Sequence, residues 1–134
     1  MPGTLSDCIE YLRALFAAPQ DARARYAIGA AVAAIKARAD LFGSGAVAMA
    51  AEALDEDLPS LYRHAAVAER LDPAEVDSLL CRTGPGRQSL TWSHLVVLGS
   101  VPSQAEREQL VNRVLVEGLS VRELMAVVAK AGLS

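Results

Sequence analysis

Hydrophobic residues recur along the chain at intervals of three and four positions, which is the period of an α-helix. A first predicted helix runs from Ser6 to Ala18, where Ile9, Leu12 and Phe16 form one apolar stripe. Pro19 follows and predicts that this helix stops there. No segment alternates apolar and polar residues for long enough to predict a strand.

Start and stop signals divide the rest of the chain into further helices. Asp72, Ser103 and Ser120 are each followed three residues later by Glu, the pattern of a capping box. Gly118 and Gly132 occupy expected C-cap positions. The later predicted helices cover 21–39, 46–54, 59–70, a stretch beginning at 73, 92–98, and two stretches beginning at 104 and 121. We therefore expect an all-α, compact bundle of about eight short helices.

Composition supports this fold class. Ala, the best helix former, supplies 25 of 134 residues, whereas aromatic residues make up only 4%. The length fits a single helical domain, 1–134, made of N-terminal helices (1–40), a helix-turn-helix (41–71) and C-terminal helices (72–134). No apolar run is long enough for a membrane span, and no secretory signal is recognisable, so we expect a cytoplasmic protein, associated with the nucleoid if it binds DNA.

Charge is unevenly distributed along the chain. The formal net charge is −3, and residues 41–80 carry eight acidic residues against two basic ones. Of the 13 basic residues, 11 are Arg, the side chain best suited to bidentate contact with phosphate or guanine. The same Arg and Ala bias is typical of GC-rich genomes, so it indicates function only weakly.

Residues 46–70 have the pattern of a helix-turn-helix. A short Ala-rich helix precedes the acidic turn 55–57, and a second helix follows. Helical spacing predicts that one face of the second helix meets the core while the opposite face is available for the major groove of DNA. The predicted core residues are Leu58, Leu61, Ala65 and Ala68, and the predicted groove residues are Ser60, Arg63, His64, Val67 and Arg70. The alternative is a solvated face on an ordinary helical hairpin.

Three motifs in this order resemble the helix-turn-helix region of ParB-like DNA-binding proteins. They are the segment 41–64 ending in Leu61-Tyr62-Arg63-His64, the stretch Leu90-Thr91-Trp92-Ser93-His94, and Gly118-Leu119-Ser120-Val121-Arg122-Glu123-Leu124. The two downstream motifs, with Tyr26-Ala27-Ile28-Gly29, also resemble the helical N-terminal domain attached to an uncharacterised family of PD-(D/E)XK nucleases. The turn departs from the usual Gly followed by an apolar residue, because Asp55 and Glu56 stand there. Asp55 is compatible with a left-handed conformation.

Pattern and resemblance together predict a non-enzymatic, sequence-specific DNA-binding protein, a transcriptional regulator or partition-type factor acting on double-stranded DNA. The expected base-reading residues are Ser60, Arg63 and His64, and the expected phosphate contacts are Arg70, Arg82 and Arg87. The alternative is a protein-interaction module that does not bind DNA. No cofactor is expected.

Catalytic and metal sites are not indicated. Ser93 and His94 are adjacent on a helix and so diverge, and we expect His94 to form hydrogen bonds at the helix start. Cys8, Cys81 and the two His residues lack the paired spacing of a zinc site. The sequence therefore predicts neither a catalytic centre nor a bound metal.

The predicted helix 21–39 has an unusually wide nonpolar surface. Gly29, Ala33 and Ala37 form a row of small residues beside the apolar row that contains Ile28 and Val32. A helix of this kind either is central to its own domain or is covered by a partner. One prediction is a homodimer joined through the small-residue row, and the alternative is cover by the first helix of the same chain.

Overall fold

The computed structural model describes residues 3–132, and 74% of them are helical, with no strand in that range. The expected all-α fold is therefore confirmed. The helices of this range are α1 (Leu5–Ala17), α2 (Ala22–Ala37), α3 (Ala39–Phe42), α4 (Ala46–Leu54), α5 (Leu58–Arg70), α6 (Pro73–Cys81), α7 (Trp92–Leu98), α8 (Gln104–Glu117) and α9 (Val121–Ala131).

The helix starts follow the capping signals in the sequence. Asp21 accepts a hydrogen bond from the backbone N–H of Ala24 at 2.8 Å, and Asp72 caps α6 through Glu75 N–H at the same distance. Ser120 and Glu123 bond reciprocally at the start of α9, as a capping box requires. Gly118 and Gly132 end α8 and α9 with positive φ angles of 69° and 68°. Local chemistry therefore sets these boundaries.

The structure adds one short helix that the sequence pattern did not indicate. The predicted helix 21–39 ends early because the backbone departs from helical geometry at Arg38 (φ −106°, ψ 37°), and α3 then begins at Ala39. The Arg38 guanidinium lies 5.3 Å from the centre of the Phe42 ring, and Phe42 packs against the hydrophobic core. Nine helices rather than eight are therefore present within residues 3–132.

Contacts between residues gather into two compact units, one ending at Glu69 and one beginning at Arg70. In the first unit, α2 packs against α1 and α4. Its core is almost entirely aliphatic and is made of Cys8, Leu12, Ile28, Ala31, Val32, Ile35, Ala46, Val47, Ala50, Ala51, Leu61 and Ala65. The buried face of α2 is thus covered by helices of the same chain. This agrees with the alternative to a homodimer, in which the first helix of the chain covers α2.

In the second unit α7 packs against α9, and His94 ties the start of α7 to the turn before α9. Its Nδ1 accepts from the Thr91 backbone N–H at 3.1 Å, so the neutral ring donates from Nε2 to the Leu119 carbonyl oxygen at 3.0 Å. The hydrogen-bonding role expected for His94 is confirmed. The ring thus links the motif that ends in His94 to the motif that begins at Gly118.

Candidate nucleic-acid interface

Helices α4 and α5 are joined by the short acidic turn 55–57. Asp55 ends α4 in the left-handed conformation, with φ 55° and ψ 45°, as the sequence indicated it can. The backbone N–H of Glu56 donates to the Ala51 carbonyl at 2.9 Å, and Asp57 Oδ2 accepts from the Ser60 N–H at 3.0 Å. The side chains of Asp55, Glu56 and Asp57 remain exposed, so the turn does not bury its charges.

The exposed face of α5 differs from the predicted groove face. Val67, predicted to face outward, is 1% exposed and belongs to the buried side, together with Leu61 and Ala65. His64 and Ser60 are half-buried rather than exposed. The exposed positions of α5 are Pro59, Tyr62, Arg63, Ala66, Glu69 and Arg70. The helix is therefore turned so that Tyr62, which the sequence analysis did not select, lies on the open face.

Arg63 is the best exposed of the three residues predicted to read bases. About 60% of its side chain is accessible, and its Nη2 lies 3.8 Å from Asp57 Oδ2. Because both partners are exposed, this ion pair is weak and the guanidinium can exchange it for another anion. Asp57 thus has two roles, because the same oxygen caps α5 and attracts Arg63.

His64 lies where α5 crosses α2. A Cβ atom added to Gly29 of α2 would meet the His64 carbonyl carbon at 2.7 Å, so the two backbones touch at this point. The His64 Nδ1 donates to the Ser60 carbonyl oxygen at 2.7 Å. Burial lowers the pKa of His64 below its ordinary value, and Arg25 and Arg63 lower it further, although the Ser60 hydrogen bond and Glu56 act in the opposite direction. Arg25 of α2 and Arg63 of α5 therefore both disfavour the protonated form of the ring.

The three predicted phosphate contacts differ in how their side chains are held. Arg70 is exposed at the end of α5. Arg82 forms a two-pronged ion pair with Glu108, with distances of 2.7 Å and 3.0 Å, and this pair raises the pKa of Arg82 and lowers that of Glu108. Arg87 is exposed in a loop and has a positive φ of 63°, which is unusual for a residue other than Gly. Arg82 would have to give up Glu108 to contact DNA, whereas Arg70 and Arg87 would not.

The residues predicted to form a dimer interface lie in different environments. Gly29 is buried against α5 of its own chain, which corrects its predicted place at a dimer interface: it is a point of close helix packing within the first unit. Ala33 is half-buried against the same core, and only Ala37 is exposed. A homodimer remains a prediction. Of the three residues, only Ala37 can be substituted to test it without disturbing the core.

Sequence reasoning also missed Arg107, a buried arginine of the second unit. Only 6% of its side chain is exposed, and its Nη1 donates to the carbonyl oxygens of Val101 and Pro102 at 2.9 Å and 3.1 Å. Glu75 accepts from the other edge of the guanidinium at 3.4 Å and 3.5 Å. Arg107 precedes the buried Leu110 and Val111 by one helical turn, and this position on an apolar face was the available signal. Its contacts are structural.

Other site types find no support in residues 3–132. No group of three or more His, Cys, Asp or Glu side chains in this range is arranged to hold a metal ion. Cys8 is buried in the first unit, and Cys81 is exposed in the second. None of the described helices combines the length and the apolar character needed to cross a membrane.

Comparison of the chain with protein-family models, with curated proteins and with solved structures finds no match. The resemblance to ParB-like proteins thus rests on the sequence motifs alone.

Proposed function

We propose that this protein binds double-stranded DNA through the exposed face of α5. The observation that carries the proposal is the combination of a left-handed turn at Asp55 with an α5 face that presents Tyr62, Arg63 and Arg70 to solvent. A helix held in this way can enter the major groove, where Arg is the commonest reader of guanine and Tyr and Ser can bond phosphates or base edges.

The structure supports separate tasks for the predicted residues. Arg63, assisted by Ser60, reads bases, since it is exposed near the start of α5. Arg70 and Arg87 hold phosphates, and Arg82 joins them only after it releases Glu108. His64 is too deeply placed to be a primary reader, and its lowered pKa disfavours a charged ring beside Arg63. The expected role is that of a small transcriptional regulator or partition-type factor, acting as a dimer on a symmetric site.

The proposal can be tested by measuring binding to a random-sequence 20-base-pair duplex by fluorescence anisotropy, at salt concentrations between 0.05 M and 0.3 M. The affinity should fall steeply with salt, because neutralised phosphates release their counterions. Selection from a random DNA pool should then yield a motif, and Arg63→Ala should weaken binding to that motif by about 1–3 kcal/mol. Arg13→Ala is the matched control, since Arg13 is an exposed arginine that pairs with Glu10 on α1. Absence of any binding at 0.05 M salt would contradict the proposal.

The second candidate is a protein-interaction module, which the three exposed carboxylates of the turn favour. Carboxylates beside a recognition helix repel phosphate but attract a basic partner. Asp57→Asn separates the two functions. The substitution keeps a capping side chain and removes one negative charge, so it should strengthen DNA binding and weaken binding to a basic protein.

A further inference from the structure

The loop between α6 and α7 adopts a left-handed conformation at an arginine. The Gly84 N–H donates to the Gln88 carbonyl oxygen at 2.8 Å, and the Arg87 N–H donates to the Gly84 carbonyl oxygen at 2.9 Å. These two bonds close a three-residue hairpin loop, in which the third residue is left-handed and is ordinarily Gly. Here that residue is Arg87, which is exposed and has a φ of 63°. An unfavourable backbone conformation at an exposed side chain points to a role for that side chain.

We infer that the loop 84–88 is a rigid support that presents the Arg87 guanidinium to a DNA phosphate, and that Gln88 is a positioning residue within it. The inference rests on the proposed DNA binding and states how one of its phosphate contacts is held. Arg82 of the same unit is paired with Glu108, whereas Arg87 forms no ion pair within residues 3–132. Guanidinium groups bind phosphate oxygens through pairs of N–H donors.

Contacts with the end of α8 restrain the loop. A Cβ atom added to Gly84 would meet the carbonyl carbon of Leu115 at 2.6 Å, so the loop backbone lies directly on the last turn of α8. The half-buried side chain of Gln88 lies between the loop and Gly118, the residue that ends α8. Its Cδ would be 3.3 Å from a Cβ atom at Gly86, and its Nε2 would be 3.4 Å from one at Gly118. A loop restrained in this way loses less conformational entropy when it binds a ligand.

Arg87→Gly tests the inference because it separates binding from stability. Loss of one phosphate contact lowers the slope of log affinity against log salt by about 0.9, which corresponds to roughly fivefold weaker binding at 0.15 M salt. The loss should be equal on random and selected duplexes, because a phosphate contact carries no sequence information. The urea midpoint of Trp92 fluorescence, which reports on the same unit, should not fall, because Gly adopts a positive φ without steric cost. Arg13→Ala should match the unsubstituted protein in affinity and slope.

Gln88→Ala tests the positioning role. This substitution should weaken duplex binding by up to the same fivefold when Arg87 is present. It should cause no further loss in Arg87→Gly, because a residue that acts through Arg87 then has nothing to position. Gln88→Met should restore most of the affinity, since its side chain has a similar length and can fill the space beside Gly118. Ser89→Ala, at the exposed next position, is the control and should bind normally. Losses that add in the double variant would overturn the positioning role.

The remaining outcomes separate this inference from the proposed function. Unchanged affinity and slope in folded Arg87→Gly, with Arg63→Ala still impaired, would overturn the phosphate contact and leave the proposed function standing. A lower urea midpoint in Arg87→Gly would also overturn the inference, since the arginine would then stabilise its own loop. If the unsubstituted protein binds no duplex, both are wrong.

Discussion

Gly29→Ala should destabilise the first unit, although the same change in an open helix would stabilise it. The added methyl group would lie 2.7 Å from the carbonyl carbon of His64 and still closer to the carbonyl oxygen. Non-bonded carbon atoms pack at about 3.5–4.0 Å, so α2 and α5 would have to separate by roughly 1 Å at their crossing. Both obstacles are backbone atoms of a helix, which cannot rotate away as a side chain would.

The expected size follows from two opposing effects. Replacing Gly with Ala inside a helix gains about 1 kcal/mol of helix propensity. Forcing extra volume into a packed contact costs about 1–3 kcal/mol, and a rigid backbone neighbour places this site near the upper end. We therefore expect a net loss of about 1–2 kcal/mol in the free energy of unfolding. The control is Ala30→Gly at the exposed neighbouring position, which should lose about 1 kcal/mol through propensity alone.

Urea unfolding can follow the two units through different chromophores. The single Trp, at position 92, belongs to the second unit, whereas the three Tyr residues all precede Glu69. Second-derivative tyrosine absorbance therefore reports on the unit that contains Gly29. A midpoint equal to or above that of the unsubstituted protein, with an unchanged slope, would refute the close approach of α2 and α5.

Three further predictions concern charge, assembly and pH. Asp57→Asn should strengthen duplex binding by at most about fivefold, because exposed ion pairs such as the one it makes with Arg63 are worth about 0.2–1 kcal/mol; weaker binding by anisotropy would count against the DNA interface on α5. If the protein is a dimer, Ala37→Glu should convert it into folded monomers. A mass of about 14 kDa for the unsubstituted protein, measured by light scattering, would exclude the dimer. The lowered pKa of His64 means that the folded state binds protons less readily than the unfolded chain, so its contribution to stability is complete above pH 6.5 and declines as the pH falls below that value. His64→Gln should flatten this decline in urea midpoints measured between pH 7 and pH 5, and an equal decline in both proteins would show that His64 does not cause it.

Local sequence signals are sufficient to predict where most helices begin and end. Cap residues such as Asp21, Asp72 and Ser120 accept hydrogen bonds from backbone N–H groups three residues later in the chain. These bonds can therefore be predicted without knowledge of the fold. The left-handed geometry of Asp55 and the bonding role of His94 were foreseeable for the same reason. The additional helix α3 was not, because Phe42 turns toward a core made by distant residues.

The open face of α5, in contrast, depends on packing between helices and could not be predicted from the sequence pattern. Ala65, Ala66 and Ala68 are small and apolar, so the sequence pattern is equally compatible with rotations of the helix that expose Val67 or Tyr62. The close approach of Gly29 fixes this rotation, because α2 can come near α5 only where neither helix carries a side chain between them. In this rotation Val67 is buried and His64 is half-buried, whereas Tyr62 and Arg63 lie on the open face.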